Sequence, residues 1–149
     1  MSSAKFDYYS PGTVEEASRL LLDIGKDAFL LAGGTDLLVK RNHGMIHPKA
    51  VISLNAIEDL NFIKLERKKG LTIGAGARLV DVENHREINR LYPAVAYAAG
   101  ETANTQIRNM GTVAGNLCNA APSAENAPTL MAMNAEVVLY GKSGERRLS

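Results

Sequence analysis

The sequence has one cysteine, Cys118, no tryptophan, and only three phenylalanines and five tyrosines among 149 residues. A lone thiol closes no internal disulfide, so the chain cannot be a stapled secreted scaffold and a reducing cytoplasm is expected. With so few rings, the core must rest on aliphatic side chains and close backbone contacts. Charge of one sign is also missing: 17 Lys and Arg face 16 Asp and Glu, for a formal net charge of +1. Nucleic-acid binders usually show a clear basic excess, and none is present, so no nucleic-acid partner is expected. Apolar runs such as Ala28 to Ala32 fall far short of the roughly 20 residues that span a bilayer, so no membrane insertion is expected. The opening Met1-Ser2-Ser3-Ala4-Lys5 has no apolar h-region of a secretory signal.

The 46% hydrophobic content is ordinary for a globular domain. Thr13 followed by Glu16 reads as a capping box, and Val14, Ala17, Leu20, Leu21 and Ile24 carry a helical face that Gly25 ends. Buried strands are expected at residues 28–32 and 50–54, with a short helix from Asp36 to about Arg41 between them. That order predicts a small parallel α/β unit over residues 1–55. From residue 56 the pattern changes. Residues 62–66 and 71–75 read as a hairpin, 79–91 as one helix, and 93–99 as a second that opens on Pro93 and stops at Gly100. A glycine-rich loop is expected over 105–122, then a short buried helix at 127–133. A strand at 136–140 follows, whose return partner has hardly begun at Ser149. The fold class is therefore α+β, with two subdomains, 1–55 and 56–149, the second incomplete.

Two segments could carry chemistry. Ala32-Gly33-Gly34-Thr35-Asp36 ends a strand and opens a helix. Glycines there permit positive φ and close ligand approach, and successive N–H groups can cradle a phosphate. The same residues also fit a plain tight turn with Asp36 as N-cap. The stretch from Thr105 to Pro122 is rich in small residues and carboxamides, which suits packing against another backbone or a flat ligand. Two such segments about 75 residues apart suggest a long diphosphate ligand. Other features are weaker. Gly74-Ala75-Gly76 has Leu79 where a dinucleotide fingerprint needs its third glycine, and Gly141-Lys142-Ser143 has Glu136 where a P-loop needs its first. His43 and His47 are separated by Gly44 and followed by Pro48, which argues against a metal pair on one helix, and His85 reads as a solvated residue. No acid–base pair or nucleophile stands out, so no catalytic residue is assigned, and no metal ligand.

The segments Leu30-Leu31-Ala32-Gly33-Gly34-Thr35-Asp36-Leu37-Leu38, Gln106-Ile107-Arg108-Asn109-Met110-Gly111-Thr112-Val113-Ala114-Gly115-Asn116-Leu117 and Pro122-Ser123-Ala124-Glu125-Asn126-Ala127-Pro128 resemble the flavin-binding medium subunit of molybdenum hydroxylases, the xanthine dehydrogenase, aerobic carbon monoxide dehydrogenase and hydroxybenzoyl-CoA reductase group. The resemblance implies a two-subdomain FAD-binding fold of the vanillyl-alcohol-oxidase (PCMH) type with non-covalent FAD between the subdomains. It places Ala32, Gly33, Gly34, Thr35 and Asp36 at the diphosphate, with Leu30 lining the pocket. Gly111, Thr112, Gly115 and Asn116 would hold the diphosphate and ribityl chain. Cys118 would lie near the isoalloxazine through its backbone, and Glu125 would bond the ribityl or adenosine portion. Thr102 stands where xanthine dehydrogenase-like members often carry an aromatic residue.

It further implies that substrate is oxidised in a large molybdopterin-binding subunit. Electrons would pass through [2Fe–2S] centres of a small subunit to FAD, then to NAD+, a quinone or another carrier. Members of this group run further than Ser149, so the chain could be a natural split product, a shortened piece, or a subunit whose C-terminal region another polypeptide completes. Two other readings stay open: a different flavoenzyme of the same fold type, and a cofactor-free assembly module.

Overall fold

The structure, a computed structural model, describes residues 5–149. They form two compact units. The first takes residues up to Glu58 and is joined by Glu136–Leu148; the second is Asp59–Ala135.

In the first unit, strands β1 (Asp7–Tyr9), β2 (Ala28–Leu31) and β3 (Ala50–Ser53) form a parallel sheet in the order β1-β3-β2. The central strand β3 is buried at every residue, which its run Ala-Val-Ile-Ser requires of a strand covered on both faces. β2 is less buried than expected: only Ala28 is inaccessible, and Leu30 is 43% exposed. β1 was not anticipated, because three largely exposed residues give no periodic signal. Helix α1 (Val14–Ile24) follows its sequence signature, with the Thr13 hydroxyl accepting from the Glu16 N–H at 3.1 Å. The Glu16 carboxylate accepts from Gly12 N–H at 3.0 Å, one residue earlier than an ordinary capping box. The short α2 (Leu37–Asn42) comes after β2. The β6 (Val137–Gly141) and β7 (Gly144–Leu148) strands make an antiparallel hairpin of five paired positions. The return strand is thus formed, and the hairpin groups with the first unit, where β6 meets α1.

The second unit opens with the hairpin β4 (Ile63–Glu66) and β5 (Gly70–Ile73), whose inward residues alternate as expected. The expected single helix over 79–91 is two, α3 (Leu79–Glu83) and α4 (Arg86–Leu91). The break is made by side chains. Asn84 Nδ2 donates back to the Val80 carbonyl at 2.9 Å, and His85 caps the next helix by accepting from Ile88 N–H at 3.4 Å, so it is a helix cap. α5 (Pro93–Glu101) runs past Gly100, whose missing Cβ leaves room for the Glu83 side chain. The expected loop over 105–122 contains two short helices, α6 (Thr105–Arg108) and α7 (Val113–Asn119). Asn104 and Thr112 cap them, accepting from Ile107 N–H at 2.9 Å and Gly115 N–H at 3.0 Å. α8 (Asn126–Ala132) follows; only Asn126 in it is buried, so it is a surface helix and not a buried one. The core is Leu79, Val82, Ile88, Val95, Ala96, Ala99 and Val113, with the inner face of β4 and β5 packed on it. Alanines on α5 let α3 approach closely, which is how a ring-poor sequence reaches interior density.

Candidate cofactor site

Residues 32–36 follow the C-terminal end of β2, where ligands of open parallel sheets gather. Leu54 N–H donates to the Leu31 carbonyl at 2.8 Å, so pairing with the central strand continues to the edge of the turn. Gly34 has φ +73°, and a Cβ there would sit 2.9 Å from Leu31 Cδ1 and 3.1 Å from Leu38 Cδ1. Glycine is favoured chiefly by the backbone conformation, since the two leucine side-chain ends can shift. The Gly34 carbonyl accepts from Leu38 N–H at 3.1 Å and starts α2. Among the described residues, no acceptor is found for the backbone N–H of Gly33, Gly34 or Thr35. Three successive half-buried donors without protein partners need an acceptor from outside the chain, either water or an anion. Asp36 makes no side-chain capping bond to α2 and is exposed. Leu30, exposed on β2 two residues before Ala32, supplies apolar surface.

The second segment has a different construction. Gly111 and Thr112 are buried. Gly111 N–H donates to Ile107 and its carbonyl accepts from Leu79 N–H at 2.9 Å, while Val113 N–H donates to Ala77 at 3.4 Å. The backbone at 111–113 is thus sewn to residues 77–79 and offers little free donor capacity. Gly115 N–H is taken by Thr112 Oγ1, and Asn116 N–H by the Thr112 carbonyl at 3.0 Å. What this segment presents is small-residue access and the Asn116 carboxamide. Arg108 anchors it: Nε and Nη2 reach the two Glu83 carboxylate oxygens at 2.8 and 3.4 Å, and Nη1 reaches the Thr102 carbonyl at 3.3 Å. The Arg108 side chain is 13% exposed and that of Glu83 29%, so the pair is partly buried.

Thr102 is buried. Its hydroxyl donates to the Ala98 carbonyl at 3.1 Å and accepts from Asn126 Nδ2 at 3.0 Å. The same Asn126 nitrogen donates to Asn116 Oδ1 at 3.2 Å, which brings Thr102 and Asn116 into one network. Cys118 is exposed on α7. Glu125 precedes α8, with its carbonyl accepting from Thr129 Oγ1 at 3.2 Å. The residues that sequence reasoning passed over are Asn126 and the Arg108–Glu83 pair. Asn126 and Arg108 lie in segments already singled out, but Glu83 does not, and their partners cannot be read from spacing. The Gly74 and Gly76 turn has a structural role: Gly74 and Gly76 N–H donate to Phe62 and Leu60 carbonyls at 2.9 Å, and a Cβ on Gly74 would overlap the Leu60 carbonyl.

A family model described as the FAD binding domain in molybdopterin dehydrogenase matches residues 4–149. The chain belongs to this family of FAD-binding domains of molybdopterin dehydrogenases. Among curated proteins it is 34% identical over 148 residues to the alpha subunit of the 6-hydroxypseudooxynicotine dehydrogenase complex of Paenarthrobacter nicotinovorans, covering 99% of this chain and 50% of that one. It is 33% identical over 145 residues to the nicotinate dehydrogenase FAD-subunit of Eubacterium barkeri, covering 96% of this chain and 48% of that one. Among solved structures it is similar to carbon monoxide dehydrogenase from Hydrogenophaga pseudoflava lacking the Mo-pyranopterin moiety of the molybdenum cofactor, with a TM-score of 0.93 and 33% identity over 99% of this chain and 51% of that one. The chain spans about half the length of these relatives. Among the described residues, no helix is long and apolar enough to cross a membrane, and no group of three or more His, Cys, Asp or Glu could hold a metal ion.

Proposed function

We propose that this chain is the flavin-binding portion of a molybdenum-hydroxylase-type dehydrogenase. In it the chain passes electrons from the [2Fe–2S] centres of a small subunit to NAD+, a quinone or another carrier. Substrate oxidation then falls to a large molybdopterin-binding subunit. The fold is proposed to be of the vanillyl-alcohol-oxidase type, and the setting cytoplasmic. When bound, FAD supplies the redox chemistry; the protein binds, orients and tunes it.

The observation that carries this reading is the turn at 33–35, with its free N–H groups at the end of a parallel strand and a glycine whose positive φ strains any other residue. That arrangement fits an anionic diphosphate. Ala32, Gly33, Gly34, Thr35 and Asp36 receive the diphosphate, with Thr35 adding a hydroxyl donor and Leu30 an apolar wall. Gly111, Thr112, Gly115 and Asn116 contact the diphosphate and ribityl chain, Cys118 approaches the isoalloxazine, and Glu125 bonds the ribityl or adenosine hydroxyls. Thr102 contributes from within the second unit. The link to FAD is non-covalent. The test is the visible spectrum of the purified protein, followed by acid release of the pigment. A yellow protein that gives up intact FAD supports the reading; a colourless one that takes up no added FAD refutes it.

A further inference from the structure

The buried carboxamide network of the second unit fixes which end of Asn116 faces outward. Thr102 has one hydroxyl proton, and it is committed to the Ala98 carbonyl at 3.1 Å. The hydroxyl therefore turns a lone pair toward Asn126, which must answer with Nδ2 at 3.0 Å. The second hydrogen of that nitrogen goes to Asn116 at 3.2 Å, so Asn116 must answer with Oδ1. Each step leaves one orientation for the next. Asn126 is 2% exposed, so water does not compete for its amide. Asn116 is half-buried, and among the described residues its Nδ2 finds no partner.

We propose that Asn126 and Thr102 are positioning residues that lock Asn116 as a hydrogen-bond donor toward acceptor oxygens of the flavin's ribityl–diphosphate chain. This rests on the flavin reading given above. Phosphate oxygens only accept, so a flipped Asn116 would turn its carbonyl oxygen against them. The lock prevents that flip without touching the cofactor. A network that merely joined α5, α7 and α8 would leave cofactor affinity indifferent to the amide's direction.

The test is a double-mutant cycle on FAD affinity in the full chain, read by flavin fluorescence quenching. Asn126→Asp replaces the donor with an acceptor and pulls the Asn116 NH2 inward. It is expected to weaken FAD binding roughly tenfold, the scale of one hydrogen bond. Asn126→Leu removes the lock without imposing the flip and is expected to cost less. Both losses should vanish in the Asn116→Ala background, because the residue they act through is gone. Losses that add to that of Asn116→Ala overturn the proposal while leaving FAD binding intact.

Should the Asn126 variants not fold, side-chain amide exchange in the wild-type chain decides. Slow Asn126 protons beside fast Asn116 protons support the assigned direction, and the reverse overturns it. A wild-type chain with the assigned amide pattern that takes up no FAD overturns the flavin reading and this proposal together.

Discussion

Replacing Gly34 by valine separates a phosphate cradle from an ordinary turn. The wild-type backbone sits at φ +73°, a conformation that costs an L-residue roughly 1–2 kcal/mol and a β-branched one more. The new Cβ would meet Leu31 Cδ1 at 2.9 Å and Leu38 Cδ1 at 3.1 Å. Both are ends of flexible side chains, and repacking them adds about 1 kcal/mol. A total of about 3 kcal/mol is less than the 5–15 kcal/mol typical of whole-protein stability, so the chain stays folded. For a chain of this size it corresponds to a fall in melting temperature of roughly 10 °C. The effect on FAD is of similar size but has a separate cause. A side chain at position 34 holds the phosphate off the N–H groups of residues 33–35. Losing two charge-assisted hydrogen bonds at about 1.5 kcal/mol each weakens binding by about 100-fold. The assay is equilibrium titration with FAD beside a thermal melt. A folded Gly34→Val protein with the thermal loss and unchanged FAD affinity would refute the cradle while leaving the turn.

Three further perturbations test the frame. Arg108→Ala leaves the Glu83 carboxylate without its bidentate partner at a partly buried position, and is expected to cost about 2 kcal/mol in chemical denaturation, with Arg108→Lys recovering only part. Gly74→Ala drives a Cβ into the Leu60 carbonyl and the Phe62 ring edge; backbone cannot yield as a side chain does, so a loss of about 3 kcal/mol and a disturbed β4–β5 hairpin are expected by circular dichroism. Asp27 is held below the usual carboxylate range by its hydrogen bond to Lys49 at 2.7 Å, and Lys49 is raised by the same contact. The stabilisation from Asp27 is present above the unfolded carboxylate's pKa and lost as pH falls through its own lowered value. That from Lys49 is present below the ordinary lysine value and lost as pH rises through its raised one. Carboxyl NMR titration of Lys49→Met should return Asp27 to the ordinary range; no movement would show that the pair does not form in solution.

Elements with a local cause were legible in the sequence. α1 announces itself through Thr13, Glu16 and Gly25, and the buried β3 through an unbroken apolar run. What stayed hidden depended on side chains whose partners lie elsewhere. Nothing in the spacing of 79–91 shows that Asn84 will bond back to Val80 while His85 caps α4. The 105–122 segment looked like a loop because Gly111, Ala114 and Gly115 dilute any helical period. Its helices exist because Asn104 and Thr112 cap them and because residues 111–113 join 77–79. The 32–36 turn was readable as a strand-to-helix junction whose glycines permit positive φ, and the structure shows Gly34 adopting it. In the second segment the sequence suggested bare backbone. The structure instead uses most of that backbone internally and leaves a carboxamide as the group on offer.

Hydrogen exchange with and without FAD tests the central claim most directly. The N–H groups of residues 33–35, unpartnered in the protein, are predicted to exchange fast in the cofactor-free chain and to become strongly protected when FAD is added, with the 111–116 segment also slowing. FAD bound at full occupancy with exchange at 33–35 unchanged would contradict the account.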